Sequence, residues 1–222
     1  MEQNLKNIKI FDIEGTLEAE IVKSGLDTSV DSISKLKLLI ENYKEENKEP
    51  KFLNKTWRFD TLLFEILKTY PQYKNVDICL ETGTYLGDSA KRMSVYFKEV
   101  HTIEIIDSIY EKAKTNLKNL ENITCYLGDS LDLLPELLQK MPYPLFFYID
   151  AHSSSYNGTN TNETVPVIKE LEIINKYHPY NDIILIDDLV LFGEKKYYAD
   201  WSDISVNNIL NTFDKKNILH SQ

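Results

Sequence analysis

Short apolar runs recur along the later two-thirds of the chain, at residues 76–80, 100–103, 123–127, 144–149 and 182–186. The first four begin about twenty residues apart, a spacing that suits strands separated by helices. Each is rich in Ile, Val, Phe, Tyr or Cys, which predicts buried strands. Between them the apolar positions switch to helical spacing. Ala90, Met93 and Phe97 recur within 88–97, and Ile109, Ala113 and Leu117 within 107–117. Pro135 precedes a helical pattern over 136–141, and Pro166 opens one carrying Ile168, Leu171 and Ile174. Proline suits a first helical turn because its missing N–H would be unbonded there anyway. One more helix is predicted over 203–213. Strands alternating with helices mean βαβ units. The expected class is α/β, a Rossmann-like, mostly parallel sheet flanked by helices.

Residues 1–75 lack that beat. Segments 32–47 and 56–70 look helical and are divided by the charged, proline-containing stretch 45–51. They read as an N-terminal helical extension that caps the sheet or makes a homodimer contact, ahead of a domain over 76–222. The most polar stretch, SSSYNGTNTNE at 153–163, follows the fourth strand. That position is the carboxyl edge of a parallel sheet, where ligands bind, so the stretch is a candidate lid and Tyr156 a candidate substrate contact. After the fifth strand only the helix and one apolar run, 217–220, remain.

Composition narrows the function classes. Of 222 residues, 42% are apolar and 27% charged, enough for a packed core. The net charge of −10 repels phosphate backbones and anionic membranes, and no basic cluster offsets it. Nucleic acid and membrane partners are therefore not expected. No apolar run approaches the ~18–20 residues that span a bilayer, and MEQNLKNIKIFDIEG lacks the apolar stretch of a secretory signal. Cys79 and Cys125 sit in apolar runs and read as buried free thiols. The sequons at Asn54, Asn122, Asn157 and Asn162 are expected by chance in an Asn-rich chain, and the expected location is cytoplasmic.

The chemistry concentrates at the predicted strand ends. Residues 77–89, DICLETGTYLGDS, run from a strand through Gly83 and Gly87 into a helix. Glycines there let the backbone turn sharply and approach a ligand. The spacing is G-x-x-x-G, not the G-x-G-x-x-G of dinucleotide folds. Glu81 is a poor neighbour for a diphosphate and suits an amino group or a sulfonium. Glu104 ends the second strand, where a carboxylate can accept both ribose hydroxyls of a nucleoside. Gly128-Asp129-Ser130 ends the third, and Asp129 is placed to accept from an adenine amino group. Singly each acid is an ordinary turn residue; three in succession predict a nucleoside pocket.

In these residues the chain resembles the class I S-adenosylmethionine-dependent methyltransferases, over roughly 76–190. ETGTYLGDS at 81–89 is similar to their first motif, Glu104 to the ribose-binding acid, and GDS at 128–130 to the adenine-side motif. The resemblance implies a seven-stranded sheet and methionine-carboxylate contacts from the turn between Gly83 and Gly87. It implies cofactor contacts from Glu81, Thr82, Gly83, Thr84, Gly87, Ser89, Glu104, Ile105, Asp129, Ser130 and Asp150. The chain departs from the pattern at its end, where the usual closing hairpin is shortened or absent.

A second constellation joins FFYIDAH at 146–152 to IILIDD at 183–188. Two adjacent strands would deliver Asp150, Asp187 and Asp188 to one edge. Three converging carboxylates repel one another unless protonated or neutralised by a cation, and oxygen ligands favour Mg²⁺. As an alternative, Asp187 or Asp188 is a cap or turn acid. The IDAH and IDD pair resembles the metal-dependent sugar O-methyltransferases of the macrocin O-methyltransferase type, whose matching aspartates hold Mg²⁺ beside the acceptor hydroxyl. His152 shares that edge, and an imidazole of ordinary pKa about 6.5 suits proton removal near neutrality. Asp150 or His152 is the expected proton acceptor. The resemblance implies methyl transfer to a hydroxyl of a sugar or glycosylated small metabolite. Two rival readings stand beside it. IKIFDIEGTL at 8–17 resembles the first motif of haloacid dehalogenase-type phosphatases, with Asp12 as nucleophile, although Glu14 replaces the expected second aspartate. The other rival is a nucleoside-binding module without catalysis.

Overall fold

The computed structural model describes residues 7–10, 76–152, 165–188, 191–195 and 199–213. The elements in chain order are β1 (Asn7–Ile10), β2 (Ile78–Thr82), α1 (Asp88–Met93), β3 (Glu99–Glu104), α2 (Asp107–Leu117) and β4 (Ile123–Leu127). They continue with α3 (Ser130–Lys140), β5 (Phe146–Ile149), α4 (Val167–Tyr177), β6 (Ile183–Ile186) and α5 (Val206–Thr212). All strand pairs are parallel, in the order β1-β6-β5-β2-β3-β4. This is the Rossmann-like sheet that the strand–helix alternation predicts.

Burial explains why the central strands read so clearly. Every residue of β2, β5 and β6 is buried, because helices cover both faces of a parallel sheet. On one face Ala90, Met93, Phe97 and Leu117 pack against Cys79, Val100, Phe146 and Tyr148. On the other, Leu134, Leu138, Leu171 and Ile174 pack against Leu80, Ile103, Phe147 and Ile184. Cys79 is buried, whereas Cys125 is only half-buried; both are free thiols.

Several boundaries differ from the sequence expectation, three of them by more than a trimmed end. β2 runs two residues further, through Glu81 and Thr82, because both side chains are taken into the interior. α3 starts at Ser130 rather than 136, because the Asp129 carboxylate caps it by accepting from Leu131 N at 2.9 Å. Pro135 therefore lies inside the helix. Asn7–Ile10 is an edge strand paired with β6, so the helical reading of 1–75 does not hold there. Residues 11–75, with Asp12, Glu14 and the homodimer surface expected there, lie outside the described residues, as do 153–164 and 214–222. After β6 the described residues show only an isolated antiparallel bridge, Lys195 with Asp200, before α5. The β6 edge is occupied by β1. No helix among the described residues is long and apolar enough to cross a membrane.

At the opposite end of the sheet from the candidate site, His178 and Asp182 are fully buried. His178 Nδ1 lies 2.8 Å from Asp182 Oδ2 and its Nε2 lies 2.9 Å from the Met141 carbonyl. Asp182 Oδ1 accepts from Leu145 N at 3.0 Å. This closed network ties the end of α4 to the starts of β5 and β6. The chain passes outward from β2 to β3 and β4, then returns to β5 on the other side of β2. The resulting switch point lies between the carboxyl ends of β2 and β5, where open α/β sheets bind ligands.

Candidate active site

At that switch point Gly83 has φ +87, and an added Cβ would lie 2.5 Å from the Asp150 carbonyl oxygen. Only glycine lets the turn come this close to the end of β5. Gly83 N and Thr84 N both donate to the Ile103 carbonyl at 3.0 Å, and Gly87 N donates to Thr84 O at 2.9 Å. These bonds tie the start of the turn to β3 and close the turn on itself. Tyr85 holds φ 48, because its N–H donates to Glu104 Oε2 at 2.8 Å. Glu104 Oε1 accepts from Ile106 N at 2.9 Å. Burial raises the Glu104 pKa, and the amides of Ile106, Tyr85 and Ile105 pull it back. Each oxygen keeps a second lone pair for a ribose hydroxyl. Tyr85 and Ile105 present exposed apolar surface beside it.

Glu81 has different partners from those expected. Its side chain is fully buried and accepts from the Ser89 and Thr102 hydroxyls, the latter at 2.6 Å, while Thr84 Oγ1 lies 2.5 Å from Thr102 Oγ1. Glu81, Ser89 and Thr84 thus form an internal brace under the turn rather than an open anionic patch. Thr82 is buried on the opposite face, and its hydroxyl makes no hydrogen bond among the described residues. Asp129 serves as the α3 cap through Oδ1, with Ser130 buried beside it.

Below Thr82 and Ser130 lies Glu170, which the sequence reading missed. It is fully buried, with the Ser130 and Thr82 hydroxyls as its nearest polar neighbours. The signal was present. Val167, Glu170, Leu171 and Ile174 follow the i, i+3, i+4, i+7 spacing of a buried helix face, with one acid among them. Burial lifts Glu170 to about 7 against the opposing pull of the Ser130 and Thr82 hydroxyls, and the Asp129 charge adds to the rise. Burial also lifts Glu81 to about 7, opposed by Ser89 and Thr102 and assisted by Glu104. From an ordinary value of 4.5, each stabilises the fold most fully below pH 4.5, and that contribution is lost as pH rises through 7. Each loss is about 3 kcal/mol. Urea unfolding of the ligand-free protein should therefore show lower stability at pH 8 than at pH 5.5. Glu170→Gln should remove Glu170's share of the slope, and an unchanged slope would mean that Glu170 ionises freely.

Asp150, His152 and Asp188 converge just past the Gly83 turn. Asp150 N donates to Thr82 O at 3.1 Å and Asp187 N to Ile149 O at 3.1 Å, which sets both acids at the strand ends. His152 Nε2 lies 2.5 Å from Asp188 Oδ2 and 3.8 Å from Asp150 Oδ1. One ligand atom from each of the three residues lies within 4.8 Å of the others, and all three are partly exposed. Burial, then the charges of Asp187 and Asp188, push Asp150 well above the usual carboxylate range. Asp187, expected as a metal ligand, is not among the three residues whose ligand atoms lie within 4.8 Å of one another. Its Oδ2 accepts from the Tyr148 hydroxyl at 2.5 Å and its Oδ1 from Asp188 N at 2.7 Å. Burial lifts Asp187 to about 6, with the Tyr148 hydroxyl opposing. Behind His152 stands Trp201, ring centroids 5.5 Å apart, itself stacked on Phe192. No sequence pattern marked Trp201, because contact across the site from a segment of irregular structure leaves no periodicity. The expected lid at 153–163, with Tyr156, lies outside the described residues.

The chain has the Rossmann-like fold of methyltransferases. It is similar to the O-methyltransferase TomG from Streptomyces achromogenes, involved in tomaymycin synthesis and solved in complex with S-adenosylmethionine. The identity is 18%, the TM-score 0.51, and the match covers 81% of this chain and 74% of that one. In sequence it is 24% identical over 140 residues to an uncharacterized RNA methyltransferase of Enterococcus faecalis. It is 34% identical over 76 residues to a protein-L-isoaspartate O-methyltransferase of a Janthinobacterium species. These matches cover 62% and 33% of this chain but only 30% and 26% of those proteins' lengths. No family model matches the sequence.

Proposed function

We propose that the chain is an S-adenosylmethionine-dependent O-methyltransferase that acts on a hydroxyl of a sugar or glycosylated small metabolite, with Mg²⁺ or a similar divalent cation held by Asp150 and Asp188. The observation that carries this reading is the Asp150–His152–Asp188 group at the switch point, next to the Gly83 turn and the Glu104 carboxylate. The donor set fits a cation. Two partly exposed carboxylates beside a third acid gain most from a nearby positive charge, and oxygen donors suit Mg²⁺ or Mn²⁺. The formal net charge of −10 favours a small acceptor over RNA.

When bound, S-adenosylmethionine supplies a methyl group on a sulfonium, and a divalent cation makes a coordinated hydroxyl more acidic. The chain supplies orientation and proton transfer. Glu104 accepts from the ribose hydroxyls, with Tyr85 and Ile105 covering the nucleoside. His152 takes the acceptor proton, and Asp188, whose Oδ2 lies 2.5 Å from Nε2, stabilises the imidazolium that forms. Trp201 keeps that side of the imidazole from water.

The test is S-adenosylhomocysteine binding followed by thermal unfolding. At a hundredfold excess over Kd the ligand should stabilise the protein by about 2.7 kcal/mol. Glu104→Ala should lose most of this shift. Equal shifts in the two proteins would remove Glu104 from the site, and no shift in either would remove the cofactor.

A further inference from the structure

We propose that Tyr148 is a positioning residue for the Asp150–His152–Asp188 group. Through Asp187 it fixes the strained turn that holds the Asp188 carboxylate against His152. The inference rests on the metal-assisted reading above.

The chain of contacts is continuous. The Tyr148 hydroxyl donates to Asp187 Oδ2 at 2.5 Å, and Asp187 Oδ1 accepts from Asp188 N at 2.7 Å. Asp188 Oδ2 then lies 2.5 Å from His152 Nε2. Asp188 adopts φ 58, a left-handed conformation that side-chain-bearing residues rarely hold. Such a residue persists only where its surroundings impose the conformation. One imposing group is the Asp187 carboxylate, which uses one oxygen on the phenol and the other on the next amide, and Leu191 N donates to Asp188 O at 2.9 Å. With both oxygens engaged, Asp187 cannot swing without giving up a bond at one end.

Tyr148 is well placed to be the fixed end. It is 3% exposed, and it packs in the core formed by Phe146, Met93 and Leu185. In the sheet it pairs with Leu185, two residues before Asp187. The phenol therefore reaches along the strand direction to the β6 terminus from a rigid base. Its hydroxyl donates to Asp187 Oδ2. Asp187 accordingly acts through Asp188 rather than as a direct ligand, and the two adjacent acids of the IDD segment have different tasks.

The experiment is calorimetric Mn²⁺ binding to the full chain, run beside NMR of the metal-free protein. Tyr148→Phe keeps the ring and its packing and removes only the hydroxyl. It should weaken Mn²⁺ binding about 10–100-fold, the range for losing an outer hydrogen bond to a ligand. Asp187→Asn retains an oxygen for the Asp188 amide and can donate its NH2 to the Tyr148 oxygen, so it should stay within a few-fold of wild type, whereas Asp188→Asn should lose binding. In the metal-free protein Tyr148→Phe should shift the Asp188 amide proton and the His152 ring nitrogen resonances. Asp187→Asn as damaging as Asp188→Asn, with Tyr148→Phe harmless, would make Asp187 a direct ligand and overturn the proposal. If wild type binds no Mn²⁺, the metal reading fails by itself. The NMR comparison then decides: unmoved resonances in Tyr148→Phe overturn the positioning role, and shifted ones uphold it.

Discussion

His152→Ala lowers kcat for methyl transfer by about 10²–10⁴-fold, the usual contribution of a positioned proton acceptor, while Mn²⁺ affinity stays within a few-fold of wild type. The two readouts separate its roles. Nε2 lies 2.5 Å from Asp188 and 3.8 Å from Asp150, so the imidazole faces the same spot as the proposed cation ligands. A proton acceptor lost from that spot stops turnover and leaves the carboxylates in place. Asp150→Asn should show the converse, a higher metal requirement. EDTA should suppress transfer in wild type and added Mn²⁺ restore it. S-adenosylhomocysteine binding should survive chelation, because Glu104 belongs to β3. A large loss of Mn²⁺ affinity in His152→Ala would make the imidazole a ligand instead.

Gly83→Val lowers folding stability by about 2–6 kcal/mol, from a left-handed φ imposed on a branched residue plus forced displacement of backbone. The first atoms that a Cβ meets are the Asp150 carbonyl oxygen at 2.5 Å and its carbon at 2.8 Å, neither of which can rotate aside. The effect is therefore on the apo fold itself, with ligand binding lost as a consequence. Gly87 supplies the control. Its nearest neighbours are the Leu117 side-chain carbons at 2.8 to 3.1 Å, which can yield by a rotamer change. Gly87→Ala should cost less than Gly83→Ala in urea unfolding. The reverse order would mean that the turn is not seated against Asp150.

Of the strands from β2 onward, β2, β5 and β6 were legible because strands covered on both faces are mostly apolar, and β3 and β4 showed as shorter apolar runs at the same spacing. β1 was not, because NIKI alternates and is too short to signal anything by itself. The convergence of Asp150, His152 and Asp188 was legible from strand ends alone, since parallel neighbours deliver their last residues to one edge. The different hydrogen bonding of Asp187 and Asp188 was not, because it turns on one left-handed φ and on a phenol 39 residues away. Glu81 shows the same limit. Its partner Thr102 stands directly across the β2–β3 register, and that pairing turns an apparent ligand-binding acid into an internal brace. Glu170 needed no tertiary information, only attention to an acid on an apolar helix face.

The account is tested most directly by the fate of a labelled methyl group. The full chain is incubated with S-adenosylmethionine labelled in its methyl carbon, Mn²⁺ and a panel of glycosides and nucleotide sugars, with RNA and a carboxylate-bearing peptide as competing acceptors. The account predicts label in a small glycoside as an alkali-stable ether, lost on adding EDTA and lost in His152→Ala. Label in RNA, or in an alkali-labile ester on the peptide, would contradict it.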